Sequence, residues 1–518
     1  MAIAGGLLAV RFVAGPLHWP LVSVNSPVNA AAATAVAWML LTLMAAGKPA
    51  RPAGPLERRE WIALGVLAAA IVAAFCPNLR APFVFDDYTH IVDASHASWR
   101  TLADLFKPVP GGHGLFFRPI GFTFYWLDYH WAGRIAARWH VWSLAAHVVN
   151  SSLLYVIVRR LRMGRAAAFT AALLFALGGS RAETAAWADA RFDLLATLFT
   201  FCALLATLEY CRAGRRVYCI PLIVCAALAV YTKESAFCLP LLPLALLPVL
   251  ERAERRRAIA ASLALGAVCT ALFAYRWRAL GGLGGYIDHT GASAVWHSRP
   301  LHSAEALFYR QWAFLFFPVN WAAPLEWWLR VAAVVFIAAL VICAGRAGAP
   351  RAHLLAGIAF LLAADVPVQH LLMFQTDFAG ARVLYLPLAG LAIFWGALLE
   401  RPAPRRSTWA LVSALVAFNV AALEHNLGPW RATPAAAAAA CGALGREMAH
   451  DPRPVFVRDV PERRLGVYFL ANGFPQCVEL NSGQPAGRVH LAGQADRVPT
   501  AARLFIWNPE RGAFEEKR

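Results

Sequence analysis

The chain has 518 residues, of which 59% are hydrophobic and 15% charged, and its formal net charge is +18. A mean hydropathy of +0.52 excludes an ordinary soluble protein and leaves room for many membrane spans. The basic residues fall in short clusters between apolar runs, the pattern of cytoplasmic loops, so the charge does not indicate nucleic acid.

In chain order, residues 1–15 form an apolar run interrupted by Arg11 and lacking a small-residue cleavage site, so they read as a short extra span or an interfacial segment and not a removed signal. Residues 29–46 read as a span, followed by Lys48, Arg51, Arg58 and Arg59 on the cytoplasmic side. The run 61–76 then exits, and the sequence APFVFDDYTHI places Asp86 and Asp87 where it emerges. A carboxylate at the bilayer centre costs roughly 2.5–3.5 kcal/mol, so paired acids at its edge are candidates for function. The outer loop 85–138 is rich in Trp, Phe and Tyr, which favour the headgroup zone and amphipathic helices lying on it.

Further spans are predicted at 139–158, 166–177, 194–211, 217–231, 237–250, 258–275, 329–343, 353–374, 383–399 and 409–423, about a dozen in all. The basic clusters after 158, 211, 250, 343 and 399 all fall on one side. A second outer loop, 276–326, contains an aromatic stretch at 308–321 that reads as interfacial. From residue 429 the composition changes: PAAAAAACGALGREMAH predicts a helix, and PVFVRDV, LGVYFLANGF and RLFIWN predict short strands. The expected class is therefore an all-α polytopic membrane protein with a small C-terminal α/β unit outside the cytoplasm. Its divisions are 1–60, 61–428 and 429–518. Cys441 and Cys477 are the two cysteines of the tail, and their pairing requires an oxidising compartment.

On this topology the notable charges converge on the outer side. In SRAETAAWADARFDLL, Glu183, Trp187 and Arg191 are spaced i, i+4, i+8 and share one face if the stretch is helical, as do Asp189 and Asp193. Lys233 and Glu234 lie in YTKES, Arg118 in FFRPIGF and Arg382 in GARVLYLPLAG. A lone charge at a membrane edge is ordinarily a snorkelling or salt-bridged residue. Together these make a mixed acid and guanidinium site, and the planar fork of Arg suits phosphate.

These motifs resemble those of the polytopic glycosyltransferases that use polyprenyl-phosphate sugars, the GT-C superfamily. The branch they are most similar to is the transmembrane and tetratricopeptide-repeat O-mannosyltransferase-like proteins and their bacterial relatives. FVFDDYTHI is similar to the paired acid that opens the family's first outer loop, and Phe117, Arg118 and Pro119 match its FRP. GGSRAETAAWADARFDLLA resembles HPIHTEAVAGVVGRADLLA, with Glu183, Arg191, Asp193 and Leu194 coinciding. Lys233 and Glu234 match a KE motif, and RVLYLP from Arg382 to Pro387 a further one. Gly178 and Arg181 stand where the family has histidines, Ala381 where it has an acid, and no tetratricopeptide helices follow.

The resemblance covers 61–399 and implies transfer of a sugar from a polyprenyl phosphate to a protein, glycan or lipid acceptor at the outer face of a bacterial inner membrane. One carboxylate of the pair would be the base. Asp86, the acid nearer the helix, is expected in that role and Asp87 in positioning. In an extended segment the two side chains point apart, and their repulsion raises one pKa. Arg118, Arg191 and Arg382 are expected at the donor phosphate, with Glu183, Asp189, Asp193, Lys233 and Glu234 in support. Adjacent acids can hold a divalent cation, but no further ligand set accompanies them, so no cofactor is assigned. A lipid or glycan flippase is the alternative, for which charges would line a path through the bilayer.

Overall fold

The computed structural model describes residues 1–19, 22–24, 26–45, 57–108, 116–285, 304–345, 349–369, 377–400, 406–493 and 496–517. Lys48 and Arg51, Arg346 of the basic cluster expected after 343, Arg401 and Arg405 of the one expected after 399, and the end of the predicted span 353–374 from residue 370 lie outside them. Among the described residues six helices are long and apolar enough to cross a membrane: Pro27–Met44, Arg58–Arg80, Ala136–Arg160, Arg191–Ala213, Arg252–Leu280 and Arg406–His450. Six shorter apolar helices accompany them. The protein is a mostly helical integral membrane protein with a small C-terminal sheet.

The predicted span 237–250 is not one regular helix. It is built of a 3-10 turn Glu234–Leu241, a short helix Leu242–Ala245 and a second 3-10 turn Leu247–Val249. Pro240, Pro243 and Pro248 lack the N–H that a continuous ladder needs. The aromatic stretch 308–321, expected at the interface, packs inside over Trp312 to Phe317 while Phe308 stays exposed. Phe316 lies 5.0 Å from Trp395 and 6.2 Å from Trp38, and Trp312 to Phe317 are buried. Two helices, Arg351–Asp365 and Pro387–Ala397, touch backbone to backbone: a Cβ on Gly390 would lie 2.5 Å from the Gly357 carbonyl. That contact anchors the helix whose preceding turn carries Arg382.

The basic loops meet at one end of the bundle. Arg162 pairs with Glu254 at 2.8 Å, and Arg257 donates to the Cys211 carbonyl at 2.8 Å. The helices Ala136–Arg160 and Arg191–Ala213 run from this end to the one where the acids gather.

A single helix, Arg406–His450, continues through Pro429 and Pro434 into the C-terminal unit. There Val455–Arg458, Val489–Leu491 and Arg503–Asn508 pair in parallel, and Ala513–Glu516 pairs antiparallel to Arg503–Asn508. Val455, Val457, Phe505 and Trp507 turn inward with period two. Of the predicted strand LGVYFLANGF only Val467–Tyr468 pairs, with Arg463–Arg464, and Phe474–Ser482 is helical. A disulfide joins Cys441 to Cys477. Phe83, Tyr88, Ile91 and Tyr125 of the first outer loop share one hydrophobic core with Cys441, Leu444, Phe469 and Phe474. The C-terminal unit thus sits directly on the segment bearing the paired acids.

Candidate active site

Asp86 and Asp87 are not in an extended segment. They open the helix Asp86–His96, where carboxylates are favoured by the free N–H groups of the first turn. The preceding residue, Phe85, has φ 53°, a strained conformation for a side chain of this size that costs roughly 1–3 kcal/mol. Its ring stacks on Tyr468 at 4.8 Å. The helical turn separates the two acids by burial. Asp87 is buried and both its oxygens accept backbone N–H groups, Oδ2 from Val84 at 3.1 Å and Oδ1 from Asp189 at 2.8 Å. Asp86 is half-buried and accepts from the Asn472 side-chain amide.

One turn along the helix, His90 Nδ1 lies 2.6 Å from Asp189 Oδ1, which also accepts from the Tyr125 hydroxyl at 3.0 Å. Burial raises His90's cost of charging, but Asp189 outweighs it and the imidazole is held above its ordinary value. Asp189 is held down to about 2: burial opposes ionisation, yet the His90 charge and hydrogen bond, with Arg382 and Tyr125, prevail. Burial, then Asp189, lifts Asp86 to about 6, against the pull of His90, Asn472 and Arg382. Burial and Asp189 push Asp87 upward as well, its two N–H partners opposing them.

The expected single helical face of Glu183, Trp187 and Arg191 does not form. The helix Arg181–Ala186 ends at Trp187, which is extended, and a new helix starts at Arg191. Asp87 holds the Asp189 N–H and Tyr125 the Ala188 carbonyl, so tertiary bonds replace the helical ones across the break. Asp189 and Asp193 consequently face different partners. Glu183, buried, accepts from the Gly380 and Arg382 N–H groups at 3.1 Å and from the Arg382 guanidinium at 2.6 Å. Burial raises its pKa against that attraction. The Arg382 guanidinium lies over Trp187 at 4.6 Å and Tyr468 at 5.7 Å, and its Nε is 3.9 Å from Asp193. Arg382 therefore stands between the acid cluster and the cationic pocket beyond it.

Lys233 donates to Asp193 at 2.6 Å, and Arg118 pairs with Glu234 at 2.8 Å. Burial lowers the Lys233 pKa, Asp193 opposing it. Arg118, Lys233, Glu234 and Arg276 line a cavity of about 360 Å³ whose other walls include Phe116, Phe237, Phe273 and Val383. With Asp193 on Lys233 and Glu234 shared by Arg118 and Arg276, one positive charge remains in excess beside apolar walls, which suits a phosphate carrying a hydrocarbon chain. Arg191 is placed elsewhere. It is buried on the Asp128 carboxylate, donates to the Trp139 carbonyl at 2.7 Å and lies over the Trp139 ring, so it braces the first outer loop and does not line this cavity.

Sequence reasoning missed His90, Asp128, Arg276, Tyr468 and Asn472. His90 follows Asp86 by four positions, a helical spacing inside the stretch already singled out. Arg276 ends a span as Arg382 begins one. Nothing in the sequence marks Asn472. Among the described residues no group of three or more His, Cys, Asp or Glu side chains is placed to hold a metal ion.

The sequence matches no protein-family model and no curated protein. Among solved structures it is similar to ArnT from Cupriavidus metallidurans. The apo form has 14% identity and a TM-score of 0.45, and the form bound to undecaprenyl phosphate 14% and 0.42, each over 88% of this chain and 94% of that one. It is also similar to the arabinofuranosyltransferase AftD from Mycobacteria, at 15% identity and a TM-score of 0.41, over 86% of this chain and 32% of that one.

Proposed function

We propose that the protein is a membrane glycosyltransferase that moves a sugar from a polyprenyl phosphate to an acceptor hydroxyl. The reaction takes place at the extracytoplasmic face of a bacterial inner membrane. The observation that carries this reading is the pairing of a half-buried carboxylate, Asp86, with a cationic, apolar-walled cavity, joined through Arg382. The acceptor hydroxyl gives its proton to Asp86 as its oxygen bonds the anomeric carbon. The bond from that carbon to the phosphate oxygen breaks, and the electron pair leaves on the polyprenyl phosphate, inverting the centre. Arg118 and Arg276, with Lys233, offset the charge on the leaving phosphate, and Arg382 sits between base and phosphate. Asp87, Glu183, Asp189 and Asp193 hold these groups in place. Transfer is carried out by 61–428, and 429–518 lies outside the membrane above it.

Purified protein in nanodiscs, given polyprenyl phosphates bearing single pentoses or hexoses together with an envelope extract, should release polyprenyl phosphate from one of them. Asp86→Asn should cut that turnover by roughly 10²–10⁴-fold and leave donor binding in place. Activity should fall on the acid side of about pH 6, because the base must be ionised. Translocation of a labelled donor lipid without any transfer would overturn the reading in favour of a flippase.

A further inference from the structure

The turn that presents Asp86 is held from the other end of the chain. Gly473 has φ 69°, open to glycine, and a Cβ there would lie 2.5 Å from the Phe85 carbonyl and 3.1 Å from the Thr89 hydroxyl. The segment is fixed from behind as well. The Gly473 carbonyl accepts the Cys477 N–H at 2.8 Å in the first turn of Phe474–Ser482, and Cys477 is bonded to Cys441 on the long helix. Within this frame Asn472, itself exposed, is aimed at Asp86. Its Oδ1 accepts the Gly473 N–H at 3.0 Å, which turns its NH₂ group toward the Asp86 carboxylate, to which it donates.

We propose that Asn472, supplied by the C-terminal unit, is a positioning residue for the Asp86 carboxylate. Its amide occupies one oxygen of the acid and leaves the other to face the acceptor. The inference rests on the transferase reading for its purpose but not for its measurement. Four other charged groups face Asp86: Asp87 and His90 on its own helix, Asp189 from the broken segment, and Arg382 from the turn before Pro387. Asn472 is the neutral donor among them. A hydrogen bond to an ionised acceptor favours the ionised form, so its loss makes Asp86 harder to ionise.

The test uses the full-length protein with Asn472→Ala and the isosteric Asn472→Asp. A hydrophobic carbodiimide labels protonated carboxyls, and tandem mass spectrometry of the labelled peptide separates Asp86 from Asp87. The pH at which Asp86 is half-labelled should rise by roughly one unit in Asn472→Ala, and by more in Asn472→Asp, where a second carboxylate faces it. The acid limb of turnover should move by the same amount, with kcat lowered and the donor KM unchanged. Half-labelling at the wild-type pH in both variants, while the wild type transfers sugar, would overturn the inference alone. A wild type that transfers no sugar would overturn the transferase reading, and the labelling would still report whether the contact acts on Asp86.

Discussion

Asp86→Asn should make the protein more stable while removing its activity. Lifting the carboxyl from its ordinary 3.8 to about 6 on folding means that the ionised side chain opposes the folded state. That cost is absent below about pH 4, grows through the interval and is complete above about pH 6. The difference corresponds to roughly 3 kcal/mol at neutral pH. Asparagine never carries the charge and can still accept from Asn472. Thermal unfolding of solubilised protein at pH 7.5 should therefore give a higher melting temperature for Asp86→Asn than for wild type, and the gap should close near pH 4. Asp87→Asn sets two effects against each other: it too removes a charge that burial and Asp189 disfavour, but its carboxylate serves two buried N–H groups, one amide oxygen can serve only one, and the group left over costs roughly 1–3 kcal/mol. Equal melting temperatures of Asp86→Asn and wild type at pH 7.5, or a gap that persists unchanged at pH 4, would refute the reasoning about burial at this site.

Arg118→Lys keeps the charge and loses the planar fork, so donor binding measured by lipid titration should weaken by about tenfold. Glu183→Ala removes the acceptor that serves the Gly380 and Arg382 N–H groups and the Arg382 guanidinium, and melting should report a loss of roughly 1–3 kcal/mol. Replacing Cys441 and Cys477 with Ser releases a constraint across 36 residues, for which loop-closure arguments give about 4 kcal/mol, read as early loss of the C-terminal unit in limited proteolysis. A reporter active only in the cytoplasm and fused after Arg518 should stay silent.

Hydropathy was enough to find the six long apolar helices among the described residues, because a helix in lipid must be apolar over its whole length whatever it packs against. The same property hid the fate of 308–321, since aromatic residues serve a headgroup zone and a protein core equally well. Asp86, Asp87, Arg118, Lys233 and Arg382 were legible as charges at membrane edges. The break at Trp187 was not: its alanine-rich surroundings favour a continuous helix, and only the distant Asp87 and Tyr125 compete for the backbone there. Arg191 and Arg382 look alike in sequence. Burial on Asp128 in one case and stacking over Trp187 in the other set them apart, and both partners are fixed by tertiary contacts.

The contact between Asn472 and Asp86 spans 386 positions of sequence. At about 5–20 residues per second a ribosome needs roughly 20–80 s to travel that distance, and over that interval the chain carries its acids without this neighbour. The long helix from Arg406 and the strands after it must emerge before the Phe85 turn is clamped. A nascent chain therefore carries an unfinished acid cluster until residue 472 and the strands beyond it have been made.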